Sequence, residues 1–381
     1  MMAGFSHTQP GEARSPKTLV LSEDDLVDFA RGAAFLGTGG GGDPYIGRLM
    51  AQNAIQKYGH PRIVDPSTLN DDATVCFVAM LGAPTVLVEK AISGDDIEYA
   101  VARMAERLGR PIDALMPVEI GGINSTLPIV AAARLGLPLL NADGMGRAFP
   151  AIQMVVMNFE GVHPTPFVVV DEHLNAVVVE TDTADRAESF VRVVATQMGM
   201  SCVVSGYPMT GAQAKSATIH NTLTEALEIG RAIAHGRQHG DPVSALLDRL
   251  CRSTIYGYAR EIFDGKIVDV HRRTEGGFSL GTCKIKGLAE TSRVMTIDFQ
   301  NENLVATERG AVRASVPDLI TIIDRETADP IPTETLQYGQ RVKVIAVAAP
   351  SLLKTPTAMR HVGPRAFGVD HDFVPIQQLT E

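Results

Sequence analysis

Two hydrophobic rhythms divide the chain near residue 252. Before it, apolar positions recur at helical spacing or gather in short runs; beyond it they fall in short runs separated by turn residues. A helix is expected over 21–35, with Leu26, Val27, Ala30 and Ala34 on its apolar face and Ser22 followed by Asp25 as its start signal. A second is expected over 45–56, carrying Ile46, Leu49, Met50 and Ile55. From Arg62 to Asn141 apolar runs (74–80, 112–118, 138–141) alternate with amphipathic segments (95–108, 127–135), the pattern of βαβ units and a parallel sheet. A hairpin follows (167–170 and 176–180), then a helix over 182–198, a strand over 201–207, and a helical stretch over 222–252 broken near Gly240 to Pro242. Past this seam, Asp264-Gly265 reads as a tight turn joining strands 255–263 and 266–272. Further strands fit 282–285, 294–299, 304–307, 311–316, 319–323 and 341–348. The expected architecture is an α/β N-terminal domain (19–175) with a parallel or mixed sheet and flanking helices. A connecting region of strand and helix (176–252) leads to a mostly β C-terminal domain (253–381).

Composition narrows the class. The 381 residues suit two domains. No apolar run approaches the roughly 18 residues of a membrane span, and the first 18 residues, polar with Gly, Pro and Ser, lack the apolar centre of a signal peptide. A cytoplasmic protein with no membrane partner is the expectation. The net charge is -10, and Lys and Arg are scattered rather than gathered in a stripe, which argues against a nucleic-acid partner. Cys76, Cys202, Cys251 and Cys283 show no CxxC spacing, so neither a disulfide framework nor a cysteine zinc site is indicated, and Cys76 and Cys202 read as buried thiols.

The chemistry gathers around residues 36–44, where Gly37-Thr-Gly-Gly-Gly-Gly42 lies between two helical segments. Asp43 reads as the cap and Pro44 as the first residue of the second helix. Glycines let backbone N–H groups approach a ligand, and a helix start adds partial positive charge, so Gly39, Gly40, Gly41 and Gly42 are candidates to hold an oxygen or sulfur becoming anionic. The run lacks the Lys-Ser/Thr ending of a nucleotide loop. Glu119, ending an apolar run before Gly121, Gly122 and Asn124, is a candidate general base, or alternatively a helix cap. Asp143 and Arg147 share a glycine-containing loop: Asp143 would position or deprotonate water and Arg147 would grip a substrate carboxylate, unless the two form a structural pair. His163, Asp171 and His173 are weak candidates for a divalent metal, without an HxH or HExxH pattern. Asn301, Glu302 and Asn303 form a polar run between two strands, and Arg365 lies in a Gly/Pro-fixed loop near the C-terminus.

These segments together carry a resemblance. Gly37 to Gly42, Asp143-Gly-Met-Gly-Arg-Ala-Phe-Pro150, Phe299-Gln-Asn-Glu-Asn-Leu-Val-Ala306, Val316-Pro-Asp-Leu-Ile320 and Val362-Gly-Pro-Arg-Ala-Phe-Gly368 are similar to the S-methyl-thiohydantoin desulfurase family, often described beside hydantoinase/oxoprolinase proteins. The resemblance covers nearly the whole chain after about residue 20. It implies an α/β domain followed by a mostly β domain, and hydrolytic removal of sulfur from a thiohydantoin ring. His173 stands where the family pattern leads one to expect glycine, which weakens the metal reading. In that chemistry Asp143, Glu119 or Glu302 would act as catalytic carboxylate, Arg147 or Arg365 would hold a carboxylate tail, and Asn124, Asn301 and Asn303 would line the pocket. Alternatives are a nucleotide-assisted hydantoin or oxoproline amidohydrolase, or a ring-binding accessory subunit of a hydantoinase. The expected partner is a small-molecule ring substrate, with a homo-oligomer or a hydantoinase-type partner also open.

Overall fold

The computed structural model describes residues 18–42, 44–82, 94–275 and 278–379. The capping role read for Asp43, and residues 83 and 84 of the loop after the first long strand, lie outside them.

The described residues open with β1 (Thr18–Val20) and α1 (Asp25–Leu36). Ser22 and Asp25 form the expected reciprocal cap: Asp25 N–H donates to Ser22 Oγ (3.2 Å) and Ser22 N–H to Asp25 Oδ2 (3.0 Å). Then come α2 (Pro44–Tyr58), β2 (Arg62–Val64), β3 (Thr74–Gly82), α3 (Asp95–Leu108), β4 (Ala114–Met116), α4 (Ile123–Leu135), β5 (Leu139–Leu140) and β6 (Ala142–Asp143). After α5 (Val156–Phe159), the hairpin β7 (Phe167–Val170) and β8 (Ala176–Val179) leads to α6 (Ala184–Gln197) and β9 (Ser201–Thr210). The segment α7 (Gly211–Ser216), β10 (Ile219–His220), α8 (Thr222–Gln238) and α9 (Pro242–Cys251) completes the first half.

Eight of these strands make one sheet in the order β1-β2-β5-β4-β3-β9-β7-β8. β2, β5, β4 and β3 are parallel, whereas β1 on one side and β9, β7 and β8 on the other are antiparallel, so the sheet is mixed. β3 shows why its sequence is an unbroken apolar run. Cys76, Val78 and Met80 enter one core and Val75, Phe77 and Ala79 the other, because successive side chains point to opposite faces and both faces are covered. Cys76 and Cys202 are buried thiols outside any disulfide among the described residues, and burial pushes Cys76 up to about 12.

The second half is built from β11 (Ala259–Glu275), β12 (Phe278–Gly287), β13 (Val294–Gln300), β14 (Glu302–Glu308), β15 (Ala311–Ser315), β16 (Leu319–Asp324) and β17 (Arg341–Val347). They form an antiparallel sheet in the order β15-β14-β13-β12-β11-β17-β16. The sheet curls so that Asn303 Nδ2 on β14 donates to Ile320 O on β16 (2.9 Å). Asp264-Gly265 is not a turn: β11 runs through it for 17 residues. Gly265 is flanked by Gly287 and Val342, and a Cβ there would come within 2.6 Å of Lys286 O, so the glycine marks a close approach of strands. Bulges between Glu261 and Phe263 and between Ile267 and Asp269 bend the strand instead. The short α10 (Pro356–Val362) follows. No described helix is long and apolar enough to cross a membrane.

The halves meet at the end of α1. Thr321 Oγ1 donates to Phe35 O (2.9 Å), Asn303 N–H to Thr38 O (2.9 Å) and Thr333 N–H to Gly39 O (2.8 Å).

Candidate functional site

The glycine loop is the hub on which both halves converge. Thr38, Gly39, Gly41 and Gly42 have φ of 51°, 94°, 80° and 77°, a left-handed path that the three glycines follow without penalty and that strains Thr38. This path turns the loop's carbonyls outward to several partners. Besides Asn303 and Thr333, Ile123 N–H at the start of α4 donates to Gly41 O (2.8 Å). The amides of Gly41 and Gly42 donate to no protein acceptor among the described residues.

Gly41 and Gly42 border a cavity of about 120 Å³ lined also by Phe77, Ala79, Val118, Met145, Phe149 and Val204, with Glu119, Asn124, Glu188, Arg192, Asn301 and Glu302 as its polar members. A closed apolar cavity of about 150 Å³ holds benzene, so a half-open space of this order can seat a small ring whose substituents extend outward. The loops at 37–42, 119–124 and 143–150 all reach it; the first follows helix α1, the second strand β4 of the α/β sheet, where ligand loops are expected, and the third strand β6.

Glu119 is held by Asn124. Asn124 Nδ2 donates to Glu119 Oε1 (2.7 Å), while Met80 N–H donates to Asn124 Oδ1 (2.7 Å), so strand β3 fixes the amide that fixes the acid. Glu119 is 6% exposed, and burial pushes it up to about 8; the nearby Asp143 adds to the rise and the Asn124 amide opposes it. Glu302 comes from the other half. It begins β14 directly after Asn301, whose φ of 56° makes the tight reversal from β13, and its Oε2 is buried without a hydrogen-bond partner among the described residues. Burial, then the charge of Glu119, drives Glu302 well above the ordinary carboxylate range, with Arg147 opposing. Two carboxyls thus border one half-open pocket, where the charge on one disfavours the charge on the other.

Gly40 makes room for this arrangement. An added Cβ there would meet Glu302 Oε1 at 2.0 Å, and no left-handed φ forbids a side chain. Gly40→Ala should therefore push the Glu302 carboxyl aside. Turnover should drop at least about 100-fold, as for other displacements near 1 Å, with a stability loss of only roughly 1–3 kcal/mol. Retained activity, read beside a melting curve, would mean that the position of Glu302 is immaterial.

Several sequence-derived candidates lie elsewhere. Asp143 is fully buried behind the cavity: its Oδ2 accepts from Met145 N–H (3.1 Å) and Gly146 N–H (2.8 Å), and burial pushes it to about 7. It shapes the loop and does not line the cavity. Arg147 is also fully buried and does not reach the cavity. Its Nε donates to Ala148 O (2.9 Å), Nη1 to Asp318 O (3.1 Å) and Nη2 to Thr38 Oγ1 (2.6 Å), so it has no free face for a substrate carboxylate. Asn303 turns its amide toward Ile320, away from the cavity. Gly39 packs against Asn303 and Thr333. Arg365 is exposed and paired with Asp372 (2.7 Å) and Asp370 (3.2 Å), in a surface recess of α10 rather than in this cavity.

Asp171 locks its own hairpin, Oδ1 accepting from His173 N–H (2.9 Å) and Asn175 N–H (2.8 Å), and His163 contacts Thr165. Among the described residues no group of three or more His, Cys, Asp or Glu is placed to hold a metal ion. Glu188 and Arg192 were not anticipated. Spaced four apart on an amphipathic helix they look like an ordinary surface pair, and only the tertiary fold turns them to the cavity.

Comparison with known proteins agrees with this layout. No curated protein matches the chain. A crystal structure of a protein from Chromobacterium violaceum is similar, with 25% identity and a TM-score of 0.81 over 94% of this chain and 100% of that one. The S-Me-THD-like N-terminal domain matches residues 24–181 and the S-Me-THD-like C-terminal domain residues 181–376. The chain therefore belongs to the S-Me-THD-like family, the S-methyl-thiohydantoin desulfurase family that its motifs resemble.

Proposed function

We propose that the protein is a hydrolase that removes sulfur from a thiohydantoin-type ring, with Glu119 as general base and Glu302 as general acid. The observation that carries this reading is the pair of buried carboxyls facing one small cavity beside the unengaged amides of Gly41 and Gly42. The Asn124 amide stabilises the anion of Glu119, so Glu119 ionises first; Glu302, with no side-chain donor among the described residues and the charge of Glu119 beside it, keeps its proton.

Glu119 takes a proton from water as the oxygen bonds to the carbon bearing sulfur, and the C=S electron pair moves onto sulfur. The amides of Gly41 and Gly42 stabilise the thiolate as an oxyanion hole would, a contribution of about 3–4 kcal/mol for a single donor in enzymes where one was removed. Glu302 protonates the sulfur. The C–S bond then breaks, the carbonyl forms, and the hydroxyl proton returns to Glu302. The proton on Glu119 leaves with the sulfide, so the sum is ring C=S plus water giving ring C=O plus hydrogen sulfide. The glycine run lacks the Lys-Ser/Thr ending of a nucleotide loop, and Arg192 is the only cation lining the cavity among the described residues, which favours this chemistry over a nucleotide-assisted one.

Purified protein incubated with a panel of thiohydantoins and hydantoins, with and without chelator, should release sulfide and change the ring absorbance. Binding without turnover would favour the accessory-subunit reading instead.

The rate should also follow pH. A base pushed up to about 8 is mostly protonated below that value, so kcat/KM should rise about tenfold per pH unit up to a limb near 8. Asn124→Leu removes the donor that favours the Glu119 anion, so the limb should move to higher pH. A limb near 4–5 would exclude Glu119 as the base.

A further inference from the structure

We infer that Arg192 is the specificity residue of this cavity and takes an anionic substituent of the substrate ring, an inference that rests on the ring-hydrolase reading. Among the described residues lining the cavity, Arg192 carries the only positive charge. It is held in place on three sides. Its Nε donates to Glu188 Oε1 (2.6 Å), its Nη2 to Pro150 O (3.3 Å), and its guanidinium lies over the Phe278 ring, 4.4 Å from the centroid. Glu188 is anchored in turn, its Oε2 accepting from Ile152 N–H (2.9 Å).

The mounting spans both halves of the protein, since α6 supplies Glu188 and Arg192 while β12 supplies Phe278. A guanidinium fixed in this way loses little freedom on binding a further acceptor. Nη1 is the nitrogen left over: it donates to no protein acceptor among the described residues. Of the other polar groups of the cavity, Glu119, Glu188 and Glu302 are acids and the amides of Gly41 and Gly42 are engaged by the sulfur, so a second anionic group is left to Arg192. A ring seated between the two carboxyls and the glycine amides would therefore carry its negative group toward Arg192. A carboxylate accepting a charge-assisted hydrogen bond there fits the geometry.

The test compares wild type with Arg192→Leu and Arg192→Lys on two thiohydantoin probes, one with a carboxyalkyl substituent and one with the corresponding methyl amide. Wild type should prefer the carboxylate probe. In Arg192→Leu that preference should fall about 10- to 100-fold, carried by KM rather than kcat, and lysine should restore part of it. Equal losses on both probes, or a wild-type preference for the amide, would overturn the assignment. If wild type turns over neither probe, the hydrolase reading fails, and thermal stabilisation by the two probes decides Arg192 separately. Stabilisation by the carboxylate probe in wild type and its loss in Arg192→Leu supports the assignment; indifference to the carboxylate refutes it.

Discussion

Glu302→Gln should reduce sulfur release by about 1,000-fold while leaving the protein at least as stable as wild type, and more stable than wild type at alkaline pH. General acid catalysis contributes roughly 100- to 10,000-fold where it operates, and glutamine keeps the shape of the side chain but offers no acidic proton. The stability half follows from linkage. In the folded protein Glu302 sits well above its ordinary 4.5, so the native state holds a proton that the unfolded chain releases above about that pH. The contribution of this group to stability is complete below 4.5 and is lost as pH rises toward the folded value. Glutamine does not titrate and escapes that loss. The melting-temperature difference should therefore grow in favour of the variant as pH rises through neutrality. A variant that keeps its turnover would remove Glu302 from the chemistry. One that melts far below wild type at every pH would assign the carboxyl to structure.

Much of the fold was legible because the signals were local. The continuous apolar run of β3, the amphipathic period of α3 and the Ser22–Asp25 cap each follow from neighbouring residues, and each forms as expected. Asp264-Gly265 misled because its composition is that of a turn, while the reason for the glycine lies in strand neighbours Gly287 and Val342, distant in sequence. The site divides in the same way. Gly41, Gly42, Glu119, Asn124, Asn301 and Glu302 could be nominated because they sit in or beside polar or glycine-rich loops at the ends of helices and strands, and all six line the cavity. Asp143, Arg147 and Asn303 share those loops, yet their side chains turn the other way, and sequence carries no signal for that choice. Glu188 and Arg192 escaped notice for the opposite reason, being helical residues whose partners, Ile152 and Phe278, come from other segments.

Arg147 shows how far the two kinds of role differ in their consequences. Arg147→Ala should destabilise the protein by about 3–5 kcal/mol, a fall in melting temperature of roughly 4–6 °C for a chain of this length. Its guanidinium joins the glycine loop at Thr38, its own loop at Ala148 and the second half at Asp318, and it lies over the Phe149 ring at 4.6 Å. Removing it leaves those acceptors buried without donors and takes away the positive charge that steadies Glu302, Asp318 and Glu119. Burial lowers Arg147 to about 10, still high enough to keep it charged at neutral pH. Lysine should rescue little, since one ammonium cannot reach three segments that a planar fork joins. Whatever protein survives at low temperature should bind the carboxylate probe with a KM close to that of wild type, because Arg147 does not line the cavity. Unchanged melting together with a raised KM would reverse this conclusion and return Arg147 to the substrate.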